Sequence, residues 1–457
     1  RGTGGTEIMA KKKEKTLEEK LQEALVPENQ WPYMLPENWC WTRLKYIANT
    51  VTGGTPSKKH DEYYGGDFPF YKPADLDSGR DLYSASEYLS DLGKNYAKFI
   101  PKGSVAVCCI GSIGKTGYFN IDGCTNQQIN SIIPKINSLF VFYYASCDYF
   151  TNELWTKSSA TTISIVNKSK MDDCYIPLPP LSEQKRIVHR IESLFAKLDE
   201  AKEKIQQVLD GAEMRKAAIL HKAFTGELTK NWRKENGISE DSWESVKLKE
   251  LGEFNRGKSK HRPRNDPRLF NGPYPFIQTG DVSSSGMYIQ KHSQTLSEFG
   301  MQQSRLFPKD TLCITIAANI GKVAILTYDC CFPDSVVGFT PNERTFSKYM
   351  YYSMLKIQKE IEALAPAVAQ KNLSLKLLLD VNVQIPSVEE QHTIVKIIER
   401  LLKHEKNVIS ASMRSIESIE TMKKSILAKA FRGELGTNNP TEDSALNLLK
   451  EVLQDKS

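Results

Sequence analysis

The sequence predicts an α+β protein built as an internal duplication, in which two mixed globular blocks alternate with two long helices. Two observations support this fold class. A stretch of about fifty residues occurs twice at a constant separation of 207 positions, so that Ile187, for example, reappears as Ile394. Each copy also carries apolar residues at alternating intervals of four and three, the pattern of a long helix that packs against another helix.

The first long helix is predicted within residues 180–228. Its apolar positions follow the four-three alternation without a break. Proline is tolerated only in the first turn of a helix, so Pro180 marks the start, and Gly226 is the expected stop. Gly211 predicts a bend, because glycine weakens a helix interior by about 1 kcal/mol relative to alanine.

The second long helix is predicted within residues 387–435 and keeps the frame of the first. Ser387 and Glu390 have the spacing of a capping box, and Gly433 repeats the stop. Its apolar stripe is interrupted by polar residues, among them Glu405. One such stripe is typical of ordinary core packing, whereas two in one register favour helices that pair with each other. Each helix, about 43 residues and roughly 65 Å long, is expected to act as a spacer.

The remaining segments follow from changes in composition along the chain. The globular blocks consist of short apolar runs broken by glycine, proline, asparagine and aspartate, which predicts many short strands. Residues 1–8 have the composition of an artificial leader before a natural start at Met9. The other predicted segments are a charged N-terminal helix (9–34), the first block (35–179), a polar linker (229–242), the second block (243–386) and a tail with a short amphipathic helix (436–457).

The two globular blocks are diverged copies of each other as well. Trp39 matches Trp243, and Asp75 matches Asp281. The separation of matched residues drifts between 204 and 207 positions, as small insertions in loops would cause. We therefore expect one framework that recurs and surface loops that differ.

Composition places the chain among globular proteins, with 40% apolar and 25% charged residues. No apolar run approaches the roughly 18 residues that a membrane span needs. Nine cysteines, an odd number with no C-x-x-C pair, indicate neither a disulfide framework nor a zinc site, and they favour a cytoplasmic location. A net charge of only +6 means that an argument for nucleic-acid binding must rest on local basic segments.

Motifs for catalysis and cofactor binding are missing from the sequence. The stretch around Lys115 is similar to the end of a phosphate-binding loop, but position 109 is Cys109 where that loop needs glycine. The second copy has Val323 where the loop needs a hydroxyl side chain. The only Pro-Pro pair, Pro179-Pro180, lies at a helix start and not in an amino-methyltransferase motif. We expect no cofactor, no metal and no catalytic residue.

Local basic and polar loops are the positive signal. Residues 256–264 contain five lysine or arginine residues and no acidic residue, and residues 52–59 form the matching loop of the first block. Small residues let a backbone approach a phosphate, lysine and arginine neutralise it, and Arg, Asn, Gln and Lys contact base edges. A solvated loop without a ligand is the alternative for each segment. The candidate DNA-binding residues are Thr52, Gly53, Gly54, Thr55, Ser57, Lys58, Lys59, Lys115, Lys157, Thr161, Thr162, Asn167, Lys168, Arg256, Lys258, Lys260, Arg262, Arg264, Gln278, Lys322, Gln370, Lys371 and Asn372.

The duplicated motifs give the chain a family resemblance. Residues 176–184 read I-P-L-P-P-L-S-E-Q and residues 385–391 read I-P-S-V-E-E-Q. The long helices end in A-F-T-G-E-L at 223–228 and in A-F-R-G-E-L at 430–435. On these motifs, over residues 9–457, the chain closely resembles the specificity subunit of type I restriction–modification systems.

The resemblance implies a function in DNA recognition without catalysis. Each block would be a target recognition domain, and the long helices would form an antiparallel coiled coil between them. Such a subunit carries two modification subunits, which bind S-adenosylmethionine and methylate adenine, and recruits ATP-dependent restriction subunits. Because the loops of the two copies differ, the two halves of the DNA target are expected to be unrelated sequences separated by a spacer of fixed length.

Two other function classes remain open at this point. One is a DNA methyltransferase or nuclease with its own catalytic site, against which the missing motifs argue. The other is a coiled-coil scaffold that joins two protein-binding modules. The duplication also predicts that the N-terminal helix and the helix after Ser444 lie near each other and serve as candidate contacts for partner subunits.

Overall fold

The computed structural model describes residues 15–159, 163–317, 319–363 and 373–454. The predicted artificial leader at 1–8 lies outside them. Both helices and strands occur throughout, as the α+β prediction requires. The chain forms two compact units, Arg1–Lys204 with Ser415–Ser457 and Ile205–Arg414. Each unit thus combines one globular block with the beginning of one long helix and the end of the other.

The first half of the chain ends with the first segment of the first long helix. Its helices are α1 (Leu17–Ala24), α2 (Leu44–Ile47), α3 (Asp91–Lys94), α4 (Ser138–Ala145), α5 (Asp148–Lys157), α6 (Lys168–Asp172) and α7 (Leu181–Asp210). Its strands are β1 (Cys40–Arg43), β2 (Ala48–Thr52), β3 (Tyr64–Tyr71), β4 (Glu87–Leu89), β5 (Val105–Cys108), β6 (Thr116–Tyr118), β7 (Cys124–Thr125), β8 (Ile129–Pro134) and β9 (Tyr175–Leu178).

The second half repeats this order. Its helices are α8 (Ala212–Phe224), α9 (Lys230–Glu235), α10 (Thr279–Ser284), α11 (Glu298–Gln302), α12 (Ser347–Ala363), α13 (Leu375–Leu379), α14 (Val388–Phe431) and α15 (Ala445–Gln454). Its strands are β10 (Glu244–Lys247), β11 (Gly252–Arg256), β12 (Phe270–Phe276), β13 (Tyr288–Ile289), β14 (Gln294–Leu296), β15 (Leu306–Phe307), β16 (Leu312–Thr315), β17 (Val323–Leu326), β18 (Cys330–Cys331), β19 (Val336–Pro341) and β20 (Asn382–Ile385).

The sheets of the two units share one topology. In the first unit the strand orders are β2-β8-β5-β6, β4-β3-β7 and β1-β9. In the second unit they are β11-β19-β16-β17-β13, β14-β12-β18-β15 and β10-β20. Each sheet of the second unit contains the equivalents of the first unit's strands in the same order, and two of the sheets have one additional edge strand. The duplicated sequence framework is therefore a duplicated sheet framework.

Alternation along the central strand of each block explains how the sheets are covered. Val105 and Val107 of β5 join the cluster that also holds α4 and α7, while Ala106 and Cys108 join a second cluster on the other face. Successive side chains of a strand point to opposite faces, so a strand that is apolar at every position is buried on both. Strand β16 divides its residues between two clusters in the same way.

The ends of the long helices lie where the sequence predicts them. Gly226 and Gly433 both have left-handed backbone conformation, with φ of 76° and 75°, as glycines that follow a helix often do. The first helix is interrupted between α7 and α8 at Gly211, where glycine predicts a bend. At the start of α14 the Glu390 N–H donates to Ser387 Oγ over 3.3 Å, one half of the predicted capping box.

Within each unit, the two long helices contact each other through ion pairs. In the first unit Lys202 Nζ lies 2.6 Å from Glu420 Oε1, and Lys423 lies against Asp199. Residue numbers increase along α7 from Asp199 to Lys202, while those of their partners on α14 decrease from Lys423 to Glu420. These segments are therefore antiparallel. In the second unit Arg215 Nε lies 2.9 Å from the nearly buried Glu405, which accounts for the acidic residue in the second apolar stripe.

The terminal helices pack together in the first unit, as the duplication predicts. Ala24 of α1 shares an apolar cluster with Leu449 and Val452 of α15. The N–H of Ala445 also donates to the carbonyl oxygen of Asn38 over 2.9 Å. These contacts fix α15 against the globular block of the first unit.

Candidate nucleic-acid interface

The two basic loops predicted from the sequence leave equivalent strands, β2 and β11, through a glycine. A Cβ on Gly53 would lie 2.2 Å from the carbonyl oxygen of Asn126. A Cβ on Gly257 would lie 2.3 Å from the carbonyl oxygen of Pro333, the residue equivalent to Asn126. Distances this short exclude any side chain, so only glycine fits. The two loops therefore start from equivalent glycines that are packed against the backbone in the same way, although the loop sequences differ.

In the first unit, hydroxyl groups of the loop contact a neighbouring run rich in amide side chains. Thr52 Oγ1 donates to Asn130 Oδ1 over 2.7 Å, and Thr55 Oγ1 donates to Gln127 Oε1 over 2.5 Å. Gln127 is exposed, and sequence reasoning missed it although the run at 125–130 reads T-N-Q-Q-I-N. The exposed loop side chains beside it are Ser57, Lys58 and Lys59. Loop and amide run together present donors, acceptors and positive charge.

In the second unit, the loop forms one wall of a cleft of about 470 Å³. Three predicted residues, Lys258, Arg264 and Gln278, reach this cleft, and Gln294 lines it from the neighbouring strand. Sequence reasoning missed Gln294, because only the pairing of β12 with β14 brings it here. The cleft combines positive charge with amide groups that both donate and accept hydrogen bonds.

The arginines of this loop are oriented by nearby oxygen atoms. Arg256 Nε donates to the main-chain oxygen of Asp334, and Arg264 Nη2 lies 3.1 Å from the Asp334 carboxylate. Arg262 Nη1 donates to two carbonyl oxygens of its own loop, at 2.7 and 2.8 Å. A guanidinium has five N–H donors, so these contacts use only part of its capacity and leave the rest for an anionic ligand. Lys260 is exposed beside them.

Asp266 orders the far end of the same loop. Its carboxylate accepts from Arg268 Nη2 at 2.7 Å and lies 2.8 Å from His261 Nε2. The Arg268 side chain holds the pKa of Asp266 well below its usual range. The carboxylate therefore stays ionised across the neutral pH range and can keep its contacts with Arg268 and His261.

Two of the predicted DNA-binding residues, Lys115 and Lys322, lie in equivalent turns between strands. Each follows a glycine with positive φ, 87° at Gly114 and 78° at Gly321. Lys115 Nζ lies 2.7 Å from Asp77 Oδ1, whereas the Lys322 side chain is exposed. The equivalent turns thus present different charge, one neutralised by an acidic neighbour and one open to solvent.

The remaining predicted residues come from residues 157–168 of the first block and residues 370–372 of the second. Lys157 Nζ lies 3.4 Å from Glu153, Asn167 Oδ1 accepts from the Lys170 N–H at 2.9 Å, and Lys168 pairs with Asp172 at 3.0 Å. These contacts stabilise helices α5 and α6, and a role of Lys157, Asn167 and Lys168 in DNA binding stays a prediction. The predicted residues that lie outside the described ranges are Thr161, Thr162, Gln370, Lys371 and Asn372.

Comparison with known proteins identifies the family. The sequence model of the type I restriction modification DNA specificity domain matches residues 36–210 and, a second time, residues 240–411. The chain belongs to this family. The two matches reproduce the internal duplication seen in sequence and in sheet topology.

Named relatives and solved structures of similar proteins agree with this type I specificity family. The chain is 26% identical to the type I restriction enzyme EcoBI specificity subunit of Escherichia coli, over 76% of this chain and 79% of that one. It is 23% identical to the EcoKI specificity subunit of Escherichia coli strain K12, over 93% and 96%. The fold is similar to that of the HsdS subunit from Thermoanaerobacter tengcongensis, with a TM-score of 0.62 and 21% identity over 89% of this chain and 100% of that one.

The glutamines of the family signature anchor the long helices. Gln184 Nε2 donates to the Pro179 carbonyl oxygen at 2.9 Å, and Gln391 Nε2 donates to the Pro386 carbonyl oxygen at 3.0 Å. Both glutamines are fully buried. Because each side-chain oxygen also accepts a hydrogen bond from the block of the same unit, each helix start is fixed to the domain that precedes it.

The glutamate that precedes each glutamine is also buried, but its partners differ between the units. Glu183 Oε2 accepts from Trp39 Nε1 at 2.8 Å and from Asn438 Nδ2 at 2.9 Å. All of these donors are neutral, and burial raises the pKa of Glu183. The first unit thus holds a buried carboxyl group without a direct ion-pair partner at these atoms.

In the second unit the equivalent Glu390 has a cationic partner. Glu390 Oε1 lies 2.5 Å from Arg233 Nη1 and accepts from Thr229 Oγ1 at 2.6 Å. Both side chains of the ion pair are almost completely buried. Arg233 also lies 5.8 Å from the ring of Trp243, the equivalent of Trp39.

Each candidate surface also includes a contact between two side chains, and the two contacts lie at equivalent positions of the two units. Lys72 Nζ lies 2.9 Å from Glu87 Oε2, and Gln278 Nε2 donates to Gln294 Oε1 over 2.8 Å. Glu87 and Gln294 begin equivalent strands, β4 and β14. Neither Lys72 nor Glu87 belongs to a basic run, so sequence reasoning had no local signal for them.

Three further properties concern the described residues as a whole, namely their cysteines, their potential metal ligands and the character of their helices. In the ranges that the structure describes, the nine cysteines are free and buried, and burial raises the pKa of the Cys109 thiol to about 12. Those same ranges contain no group of histidine, cysteine and acidic side chains that could hold a metal ion. None of the helices described there has the length and apolar character to span a membrane.

Proposed function

We propose that this chain is the DNA-binding specificity subunit of a type I restriction–modification enzyme. Each unit would read one half of a bipartite target in double-stranded DNA. The observation that carries the proposal is the pair of loops at Gly53 and Gly257, which start from equivalent anchors and present different side chains. One framework that carries two unlike polar surfaces is what recognition of two unlike half-sites requires.

The long helices would form an antiparallel coiled coil that sets the distance between the half-sites. The ion pairs of Lys202 with Glu420 and of Arg215 with Glu405, each within one unit, support contact between the helices in both units. The pair of Lys423 with Asp199 supports the antiparallel direction in the first unit. The four-three spacing of the apolar residues, which both copies keep in one frame, supports pairing of the two helices. The spacer of the target would then be measured by length and not read as sequence.

Catalysis in this proposal belongs to partner subunits. Two modification subunits that bind S-adenosylmethionine would methylate adenine, which requires that the base be flipped out of the duplex into their own pocket. ATP-dependent restriction subunits would join the same complex in the cytoplasm. The relatives EcoBI and EcoKI are named as specificity subunits, and a solved structure similar in fold concerns complex assembly of a type I restriction–modification system.

A matched insertion in both helices tests the spacer function. Seven residues added to α7 and seven at the facing position of α14 keep the heptad register and lengthen the helices by roughly 10 Å, about three base pairs of DNA. With modification subunits present, mapping of methylated adenine is expected to show the same two half-sites with a longer spacer. New half-sites with an unchanged spacer would contradict the proposal. Insertion into α7 alone is the control that breaks the register.

A further inference from the structure

We propose that two equivalent side-chain pairs, Lys72 with Glu87 and Gln278 with Gln294, each determine one base pair of the half-site that their unit reads. The first pair would select G·C and the second A·T. This inference rests on the proposed function and adds to it the residues that set specificity.

The same aspartate contacts recur beside the pair in each unit. The Lys72 N–H donates to Asp75 Oδ2 over 2.7 Å, and the Gln278 N–H donates to Asp281 Oδ2 over the same 2.7 Å. A serine that directly precedes Glu87, and one that directly precedes Gln294, donate to these two aspartates at 3.2 and 2.7 Å. The aspartates therefore fix the backbone, while the side chains carried on it differ.

Strand register places Glu87 and Gln294 at equivalent positions of the two units. Glu87 lies across from Phe70 in the β3–β4 ladder, and Gln294 lies across from Phe276 in the β12–β14 ladder. Lys72 and Gln278 each follow the equivalent phenylalanine by two positions. The same backbone geometry thus carries a charged pair in one unit and an amide pair in the other.

Each pair lies beside the basic loop of its own unit. Gln278 and Gln294 line the cleft that also contains Lys258 and Arg264. In the first unit, Tyr71, which precedes Lys72, accepts a main-chain hydrogen bond of 3.2 Å from Asn126, the residue that closes against Gly53. A duplex held by the basic loop would therefore bring a base edge to the adjacent pair.

The side-chain chemistry matches different base pairs. Lysine donates to guanine O6 and N7, and a glutamate accepts from cytosine N4. Glutamine donates to adenine N7 and accepts from adenine N6, and a second glutamine can hold the first in that orientation. A carboxylate near DNA is repelled by phosphates, so Glu87 is better explained at a base edge than at the backbone.

The charged pair of the first unit is partly exposed to solvent. The side chains of Lys72 and Glu87 are 34% and 29% exposed. Partly exposed ion pairs contribute modestly to stability, and because the paired Glu87 Oε2 is itself shielded from solvent, contacts to a base pair would have to replace its contact with Lys72. The pair is thus able to act as a preformed set of one donor and one acceptor.

The test exchanges the pairs between the units in the full chain. The double variants K72Q/E87Q and Q278K/Q294E are combined with modification subunits and S-adenosylmethionine, and methylated sites are mapped in a randomised DNA library. K72Q/E87Q is expected to change one position of one half-site from G·C to A·T, with a preference shifted by about tenfold to a hundredfold. The other half-site and the spacer are expected to stay unchanged, and Q278K/Q294E is expected to show the reverse change.

The variant K72E/E87K separates reading from a structural role. It keeps the ion pair and exchanges its ends, so a pair that only clamps two strands would leave the mapped target as in the wild type. Loss of the G·C preference by about tenfold or more supports the proposal. A stable K72E/E87K protein with the wild-type target overturns it, even if K72Q/E87Q fails to fold. A wild-type chain without any sequence preference would instead overturn the proposed function itself.

Discussion

Glu183 and Glu390 occupy the same place in the duplication, at the start of a long helix, yet they are held in opposite ways. Glu183 accepts from neutral donors, of which Trp39 and Asn438 are the closest. Glu390 is paired with the buried guanidinium of Arg233. The duplicated framework therefore preserves a buried carboxyl group but not the means of neutralising it.

The difference has a consequence for each unit. Burial disfavours the charged form of Glu183 and raises its pKa, while the hydrogen bonds from its neutral donors offset only part of this effect. A carboxylate that pairs with a buried arginine depends on that partner, since the loss of either charge leaves the other buried and uncompensated. The same motif residue is thus a pH-sensitive element in one unit and one half of an obligatory pair in the other.

Removal of the cation should have the largest effect. Arg233→Ala is expected to lower the free energy of unfolding of the second unit by about 3–5 kcal/mol, because Glu390 would remain buried without a partner. The matched control, Asn438→Ala, removes one neutral donor from Glu183 and should cost about 1 kcal/mol. Hydrogen exchange resolved by peptide reports the two units separately. If Arg233→Ala destabilised the second unit no more than Asn438→Ala destabilises the first, Glu390 would not depend on its cationic partner.

Neutralising each glutamate should give opposite results. Glu390→Gln strands the Arg233 guanidinium and is expected to destabilise the second unit by about 1–3 kcal/mol at neutral pH. Glu183→Gln keeps an acceptor for Trp39 and Asn438 and removes the cost of a buried charge, so the first unit should be as stable as the wild type or more stable.

The same variants predict a pH dependence with a definite sign. The pKa of Glu183 is raised by burial, so its stabilising contribution is fully present below the unfolded value, about 4.3, and is lost as pH rises through the folded value. The advantage of Glu183→Gln over the wild type should therefore grow from about pH 4 towards neutrality. Exchange rates of the first unit measured across this range check it, and an advantage that shrinks with pH would refute the sign.

The smallest expected effect is on binding to nonspecific DNA. Replacing Arg262 and Arg264 with alanine should weaken binding and reduce the slope of log affinity against log salt by roughly one for each phosphate that is no longer neutralised. Arg344→Ala is the control, because Arg344 is paired with Glu244 away from this loop. A salt slope equal to that of the wild type would mean that the loop does not bind DNA.

Local signals carried most of what the sequence predicted. The helix stops at Gly226 and Gly433 depend on a left-handed backbone conformation that glycine adopts readily, whereas Gly211 separates α7 from α8 with right-handed backbone angles. The basic loop at 256–264 was found because its charges are closely spaced along the chain. The duplication itself was readable because equal residues recur at equal spacing.

Contacts between residues that are far apart along the chain could not be predicted from the sequence. Glu405 interrupts an apolar stripe, and nothing near it indicates that Arg215, 190 positions away, neutralises it. Lys72 and Glu87 meet only through the β3–β4 ladder, whose register shifts between Tyr64 and Phe68. An irregular register of this kind is set by packing, so sequence spacing does not reveal which side chains lie opposite each other.

The rigid aspartate scaffold beneath Lys72 and Gln278 also bears on how such a protein could diversify. A lysine codon and a glutamate codon each become a glutamine codon by a single-nucleotide change. Because Asp75 and Asp281 hold the backbone whichever side chains are present, two point mutations would convert one surface chemistry into the other without refolding the domain. New target preferences would then be within reach of ordinary mutation, with no need for recombination of whole domains.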